Sequence, residues 1–207
     1  PGAPYHEDRC LYNFRFNYDY AGGQVTNFGA HSLDMAQWGL GMDNTGPAQV
    51  EHVYADYLPK GSLFNATTYS FFRLKYGNGA GVECFTCEPA VRCIFEGSEG
   101  LIRVENMGQN FFATPKSIWP KDIKGTEKYH SGDDHVRNFL ECIKSRTDPS
   151  APVEIGHRSA SLCHLGNIAM HLKAKLKWDP KAERFVGDKS DSANAMLNRE
   201  SHEAWKA

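Results

Sequence analysis

The sequence predicts an α+β domain, with a predominantly antiparallel open sheet of about five or six strands and helices packed on one face. Between residues 50 and 112, runs rich in β-branched and aromatic residues alternate with short glycine-containing turns. Helical spacing of apolar residues occurs on both sides of this region, at 28–40 and from 136 onwards. The 207 residues are 41% hydrophobic, which is enough for the core of one domain.

The N-terminal part of the chain is aromatic and leads into a helix. Residues 11–20 alternate aromatic and polar side chains, which predicts an extended segment with one aromatic face. A helix is predicted to follow from about Phe28 to Leu40, ended by Gly41. The aromatic positions of the extended segment are Tyr12, Phe14, Phe16, Tyr18 and Tyr20.

The β-patterned region centres on the run from Thr67 to Tyr76, which has large apolar side chains on both faces. Asn78-Gly79 predicts a hairpin turn after it, because this pair supplies the positive φ angles of a tight primed turn. Helices cover only one face of a sheet, so we expect a partner, most simply a second copy of the chain, on the other face. The predicted strands are 50–56, 67–76, 81–86, 91–96, 101–105 and 111–112.

The last third of the chain returns to helical spacing. Capping residues and first-turn acids at 131–134 precede a helix with one apolar face, and a longer helix is predicted from about Gly156 to Lys177. Both helices are expected to pack on the sheet, and a turn, a short apolar pair at 185–186 and a weak helix near 193–197 follow. The apolar face of the first helix consists of Val136, Phe139, Leu140 and Ile143.

Composition excludes several classes of function. The net charge of -2 is spread along the chain, so we expect no nucleic-acid partner and no membrane surface. The chain starts without Met and reads as part of a longer protein, so its compartment depends on a segment outside these residues. The six cysteines are expected to be free thiols, and no metal site is predicted at Cys84 and Cys87, because residues three apart in a strand face opposite ways.

The pattern that points most directly to chemistry lies in residues 22–38. The Gly22-Gly23 pair allows close approach of a ligand or backbone, and His31, Asp34 and Trp38 then share one face of the predicted helix. A histidine near a helix start favours its neutral form, which accepts a proton from a hydroxyl. The same spacing also fits a structural arrangement in which Asn27 caps the helix and Asp34 orients His31.

These residues, with later motifs, resemble the Gfo/Idh/MocA oxidoreductases and their bacterial-type C-terminal domain. The resemblance implies a two-domain enzyme in which an N-terminal Rossmann domain binds NAD or NADP, while the C-terminal domain binds a sugar or polyol and mediates oligomerisation. Residues 1–207 correspond to the C-terminal domain alone, and we expect no cofactor to bind to this chain by itself. The matching blocks are 22–41, 134–139, 153–160, 163–169 and 176–180.

The resemblance also implies site residues. In the family an Asp-x-x-x-His pair works with a lysine of the Rossmann domain, and the histidine, matched here by His31, is the acid or base of hydride transfer. Asn27 occupies the aspartate position, and an amide can orient His31 or bond a hydroxyl but cannot stabilise an imidazolium by charge. Asp34 is a candidate source of that charge, or a structural contact.

Tyr20, His157 and Arg158 complete the predicted substrate site. Tyr20 precedes the glycine pair, although aromatic stripes are also typical of cores, and His157 and Arg158 alone would also suit a capping and surface pair. Histidines 157, 164 and 171 are about 10 Å apart along a helix, too far to share a metal, and indicate an exposed or interface stripe.

Two other functions fit the same residues. One is a noncatalytic carbohydrate-binding or assembly module that kept the fold, which Asn27 favours. The other is a relative that cleaves a glycosidic bond by transient oxidation with the nicotinamide cofactor. An open cleft at His31 would support an enzyme, whereas burial of His31 in a closed core would contradict it.

Overall fold

The computed structural model describes residues 4–86, 91–106, 109–119 and 135–198. The helices are α1 (Gly23–Gly39), α2 (His135–Ser145), α3 (Val153–Leu172) and α4 (Ser190–Asn194). The strands are β1 (Gln49–Tyr57), β2 (Thr67–Lys75), β3 (Gly81–Phe85), β4 (Arg92–Gly97), β5 (Gly100–Glu105), β6 (Asn110–Thr114), β7 (Leu176–Asp179) and β8 (Arg184–Val186). None of these helices has the length and apolar character that a membrane crossing requires.

The strands form two antiparallel sheets. The main sheet has the order β3-β2-β1-β7-β8, and a three-stranded sheet has the order β4-β5-β6. The predicted antiparallel α+β class is confirmed, with the strands divided between two sheets. The hairpin turn at Asn78-Gly79 is confirmed, but it is a three-residue loop rather than a tight primed turn: only Gly79 of the pair has a positive φ, of 92°, and the Tyr76 N–H bonds the Ala80 carbonyl at 2.9 Å.

Helix α3 covers the inner face of the main sheet and approaches β2 closely. A Cβ at Gly166 would overlap the Phe72 ring, so only glycine leaves room for this aromatic side chain. Leu162 and Leu165 of α3 are each 1% exposed in the same core. Helix α1 lies against α3 and buries Val25 and Leu33.

The described residues leave the outer face of the main sheet uncovered. Tyr54 and Tyr69 are 54% and 39% exposed, and their rings meet edge to face at 5.9 Å. Phe85 of the neighbouring strand is 52% exposed. The prediction that helices cover only one of two apolar faces is therefore confirmed.

The N-terminal segment differs from its prediction. Residues Leu11–Phe16 form a short 3-10 helix rather than an extended segment. Its backbone groups are satisfied locally, for example by the Asn17 N–H bonding the Phe14 carbonyl at 3.1 Å. The alternation of aromatic and polar residues was misleading because this segment pairs with no strand in the described part of the chain.

The long C-terminal helix also ends earlier than predicted. It stops at Leu172, and Lys173 adopts a left-handed conformation with a φ of 48°. Leu176, expected on the helix, lies in β7 opposite Val50 of β1. Leu176 and Trp178 are buried on either side of exposed Lys177, which is the two-residue period of a strand.

The apolar face of α2 does not pack on the sheet as expected. Its four large side chains are between 45% and 68% exposed, and none of the helix residues is buried. Helices α1 and α3 already cover the inner face of the main sheet in the described structure. The helical spacing predicted α2 correctly, but spacing carries no information about which surface covers it.

We predict that Gly166→Ala destabilises the domain by about 1–3 kcal/mol, because the added methyl forces Phe72 or the backbone of α3 to move. Urea unfolding followed by circular dichroism measures the change. Gly156→Ala is the matched control, because a Cβ on this glycine of α3 meets open space and raises helix propensity. Equal stability of Gly166→Ala and wild type would contradict the packing argument.

Candidate functional site

His31 lies on the exposed face of α1, more than two turns after the first residue of the helix. Helix α1 begins at Gly23, several residues before the predicted start at Phe28, so His31 is not at a helix N-terminus. The positive end of the helix dipole, which acts mainly on the first turn, therefore does not reach His31. Asn27 is likewise not the cap, since Gly22 holds that position.

An open recess of about 330 Å³ lies beside His31, between α1 and α3. Its α1 wall includes His31 and Asp34, and its α3 wall includes Ser159 and Ala160. The imidazole is exposed to solvent, and its ring centroid lies 6.4 Å from that of Phe28. The structure therefore places His31 at an accessible surface rather than in a closed core.

Asp34 joins the two helices. Its Oδ1 accepts a hydrogen bond of 2.5 Å from the hydroxyl of Ser159, which is 6% exposed. This oxygen is therefore engaged in pairing α1 with α3, and charge-assisted bonds of this kind are short and strong. Asp34 and His31 line the same recess, so a role for Asp34 towards a substrate stays a prediction.

Asn27 lies one helical turn before His31, and its amide is directed along the helix. The Asn27 Nδ2 donates to Gln24 Oε1 at 3.4 Å. An amide has no charge to stabilise an imidazolium, so a proton taken by His31 has no carboxylate at this position to balance it.

The glycine pair at the start of α1 is held by Asn167 of α3. The Asn167 Nδ2 donates to the Gly22 carbonyl at 2.8 Å, and its Oδ1 accepts from the Tyr18 hydroxyl at 3.4 Å. Burial raises the pKa of Tyr18. Gly23 has a φ of 71°, and a Cβ there would crowd Ala66. This network fixes the entry of the chain into α1.

A larger groove of about 1370 Å³ runs along the other flank of α3. It is lined by Tyr20 and His157, two of the predicted substrate residues, and it shares Ala160 with the His31 recess. The predicted histidine stripe is confirmed as exposed, and its members, His157, His164 and His171, all line this groove.

Tyr57 contributes a buried polar atom to the groove. Its phenolic oxygen is shielded from solvent and has no hydrogen-bond partner. Burial raises the pKa of this phenol to about 12, with a smaller contribution from Tyr18. An unpaired buried hydroxyl is unfavourable, so this atom needs a water molecule or a ligand group to satisfy it.

His157 and Arg158 attach α3 to the turn between β7 and β8. The His157 Nε2 and the Arg158 Nη1 both lie 2.8 Å from Glu183 Oε1, and Arg158 also donates to the Pro180 carbonyl at 2.8 Å. Glu154 pairs with the same guanidinium at 2.7 Å. The substrate role predicted for His157 and Arg158 stays a prediction, and only His157 lines the groove.

The cysteines show no arrangement for metal binding in the ranges that the structure describes, where no cluster of three or more metal-ligating side chains occurs. Cys10, Cys93, Cys142 and Cys163 are free thiols, while Cys87 lies outside the described residues. Burial raises the pKa of Cys163 to about 12 and that of Cys93 to about 11, so both thiols stay protonated at neutral pH.

His31 and Asp34 share one face of α1, as their spacing predicts, but the sequence does not identify the residues that hold this helix in place. Ser159 and Asn167 lie far along the chain from their partners, Asp34 and Gly22. The sequence offers one indication of such contacts: Ser159 and Asn167 are polar residues on the inner side of a helix that is otherwise largely apolar there, and buried polar groups need hydrogen-bond partners.

The family model described as "Oxidoreductase family, C-terminal alpha/beta domain", of the Gfo/Idh/MocA group, matches residues 1–207. This match agrees with the resemblance found in the sequence motifs. No curated protein matches the chain in sequence.

Two solved structures share the fold. The WlbA dehydrogenase of Bordetella pertussis, in complex with NADH and UDP-GlcNAcA, aligns with a TM-score of 0.58 and 16% identity, over 80% of this chain and 48% of that chain. The aldose-aldose oxidoreductase of Caulobacter crescentus, complexed with glycerol, aligns with a TM-score of 0.56 and 17% identity. This alignment covers 79% of this chain and 50% of that chain. The chain thus spans about half the length of these proteins.

We predict that Asn167→Ala costs about 1–3 kcal/mol, because the partly buried Gly22 carbonyl and Tyr18 hydroxyl lose a partner. Hydrogen exchange should also become faster at the start of α1, around 22–26, before it changes in β2. Asn110→Ala, at an exposed position of β6, is the control and should change stability by less than about 0.5 kcal/mol. Unchanged exchange at the glycine pair would show that Asn167 does not hold it.

Proposed function

The chain belongs to the Gfo/Idh/MocA oxidoreductase C-terminal α/β domain family, and from that premise we propose that it is the substrate-binding and oligomerisation domain of a nicotinamide-dependent oxidoreductase. The proposed substrate is a sugar or polyol. A dinucleotide is held by a glycine-rich turn that leads from a strand into a helix. Among the described residues, neither sheet contains such a turn. We therefore assign NAD or NADP to a Rossmann domain outside these residues.

The observation that carries the proposal is the open recess beside His31. A hydroxyl-bearing carbon in this recess would place its oxygen within reach of the exposed imidazole. His31 then accepts the hydroxyl proton as the C–H hydride leaves and the carbon–oxygen bond becomes a carbonyl. The nicotinamide, when bound, supplies the hydride acceptor. In the reverse direction His31 returns the proton.

Asn27 favours a second candidate, a noncatalytic carbohydrate-binding or assembly module. No carboxylate stands where the family has its aspartate, and the Asn27 amide pairs with Gln24 instead. Under the first proposal, Asn27→Asp leaves activity equal or higher, because a carboxylate favours the imidazolium. Under the second, neither Asn27→Asp nor His31→Ala changes the binding of carbohydrate.

We predict that His31→Ala lowers kcat by about 10²–10⁴-fold in the full-length protein, because the general base is lost while the recess stays open. Cofactor reduction at 340 nm, with a panel of sugars and polyols, measures the change. His135→Ala, an exposed histidine of α2, is the matched control and should keep full activity. Full activity in His31→Ala would rule out the assigned role.

We also propose that the outer face of the main sheet mediates self-association. Tyr54, Tyr69 and Phe85 form an exposed aromatic surface on neighbouring strands. A second copy of the chain would bury this surface by a two-fold interface.

Tyr69→Glu should therefore lower the molar mass in solution from an oligomer towards a monomer, because a buried unpaired carboxylate opposes association. Light scattering after size-exclusion chromatography measures the mass. Val136→Glu, which places the same charge on the exposed face of α2, is the control and should leave the mass unchanged. Dissociation by Val136→Glu alone would assign the interface to α2 instead.

A further inference from the structure

We propose that the groove along α3 binds the additional sugar units of a glycoside whose reacting ring occupies the His31 recess. The proposal rests on the proposed function and deepens it, because it names an uncharged glycoside longer than one ring as the substrate class. Four features of the groove support this assignment: its continuity with the recess, its length, its lining and one unpaired hydroxyl.

The groove and the recess adjoin each other on the same helix. Ala160 lines both, and the groove is about 1370 Å³ against about 330 Å³ for the recess. The histidines that line the groove run from His157 to His171, which spans about 21 Å of helix at 1.5 Å per residue. The groove is larger than most single-ligand pockets and offers room for more than one sugar ring.

The lining combines aromatic rings with polar side chains. Tyr20, which is 43% exposed, offers a ring face on which the C–H surface of a sugar can stack, and Asn65 and the histidine stripe offer hydrogen-bonding groups for its hydroxyls. A few polar groups among apolar ring surfaces are typical of small-molecule sites. This combination suits polyhydroxylated rings.

The charge of the lining does not favour phosphate-bearing ligands. Among the described residues that line the groove there is no lysine or arginine, and Asp19 and Glu183 are acidic. The nearby Arg158 guanidinium is already held by Glu154 and Glu183. Tight phosphate sites use arginine, lysine or several backbone N–H groups. We therefore assign the groove to an uncharged glycoside rather than a nucleotide sugar.

Tyr57 gives the independent observation that points to a ligand. Its phenolic oxygen is buried against the groove and has no hydrogen-bond partner. If this tyrosine served only to fill the core, phenylalanine would replace it at no cost to folding. On folding, the hydroxyl gives up its hydrogen bonds to water and forms none within the protein. A sugar hydroxyl in the groove would satisfy it.

The first test is isothermal titration calorimetry on the full-length protein with its cofactor. The probes are neutral disaccharides and trisaccharides of glucose, galactose, mannose and N-acetylglucosamine, their monosaccharides, and the UDP-linked monosaccharides. We expect at least one disaccharide to bind about tenfold more tightly than its monosaccharide, and no UDP-sugar to bind more tightly than that disaccharide. Oligosaccharides no tighter than monosaccharides, or preferred UDP-sugars, would overturn the proposal.

The second test is Tyr57→Phe. The melting temperature of this variant should equal or exceed that of wild type, because an unpaired buried hydroxyl is removed. Its affinity for the disaccharide should fall by about five- to tenfold, and its affinity for the monosaccharide should stay unchanged. Tyr5→Phe removes a hydroxyl from a tyrosine that is 83% exposed and outside the groove, and is the matched control. A lower melting temperature with unchanged affinity would show a structural role for the hydroxyl and overturn the assignment.

Calorimetry detects binding without turnover, so the two proposals fail separately. If His31→Ala keeps full activity while disaccharide binding responds to Tyr57→Phe, the catalytic role fails and the groove stands as a carbohydrate site. If His31→Ala is inactive and no oligosaccharide binds more tightly than a monosaccharide, the groove assignment alone fails.

Discussion

The close approach of α3 to β2 at Gly166 positions the helix that lines both the His31 recess and the larger groove. The Phe72 ring occupies the space that a Cβ would need, which brings α3 down onto the sheet. Asn167, the next residue, then reaches the Gly22 carbonyl, and Ser159 reaches Asp34. The His31 recess and the larger groove are surfaces of the helix pair that these contacts fix.

Helix α3 has a different task on each of its faces. Leucines 162 and 165 fill the core, Ser159 and Asn167 bind α1, and the histidine stripe lines the groove. A helix with neighbours on two sides has no single apolar stripe, which is typical of buried helices. The polar face of α3 is constrained as well, so substitutions on this helix are expected to change ligand binding and stability together. Gly156 is an exception for stability, because a Cβ added there meets open space.

The sequence predicted what depends on local pattern. The Asn78-Gly79 turn and the strand at 67–76 have strong intrinsic preferences. The helix that carries His31 follows from its apolar spacing, although it begins at Gly23 rather than at Phe28. Leu176 was misplaced because one buried leucine fits a helical and a two-residue period equally well. Ser159 and Asn167 could not be assigned, because their partners are separated from them by most of the chain.

The exposure of His31 bears on how the proposed site is completed. A general base works best where water is excluded and hydrogen bonds are strengthened. The His31 imidazole, however, is exposed to solvent in this chain. Phe28 and Trp38, 39% and 52% exposed, flank it on the outer face of α1. Exposed aromatic side chains beside a polar site are typical of a surface that another domain covers. Under the proposed function, a nicotinamide-binding domain docked on this face would exclude water from His31 and bury both rings.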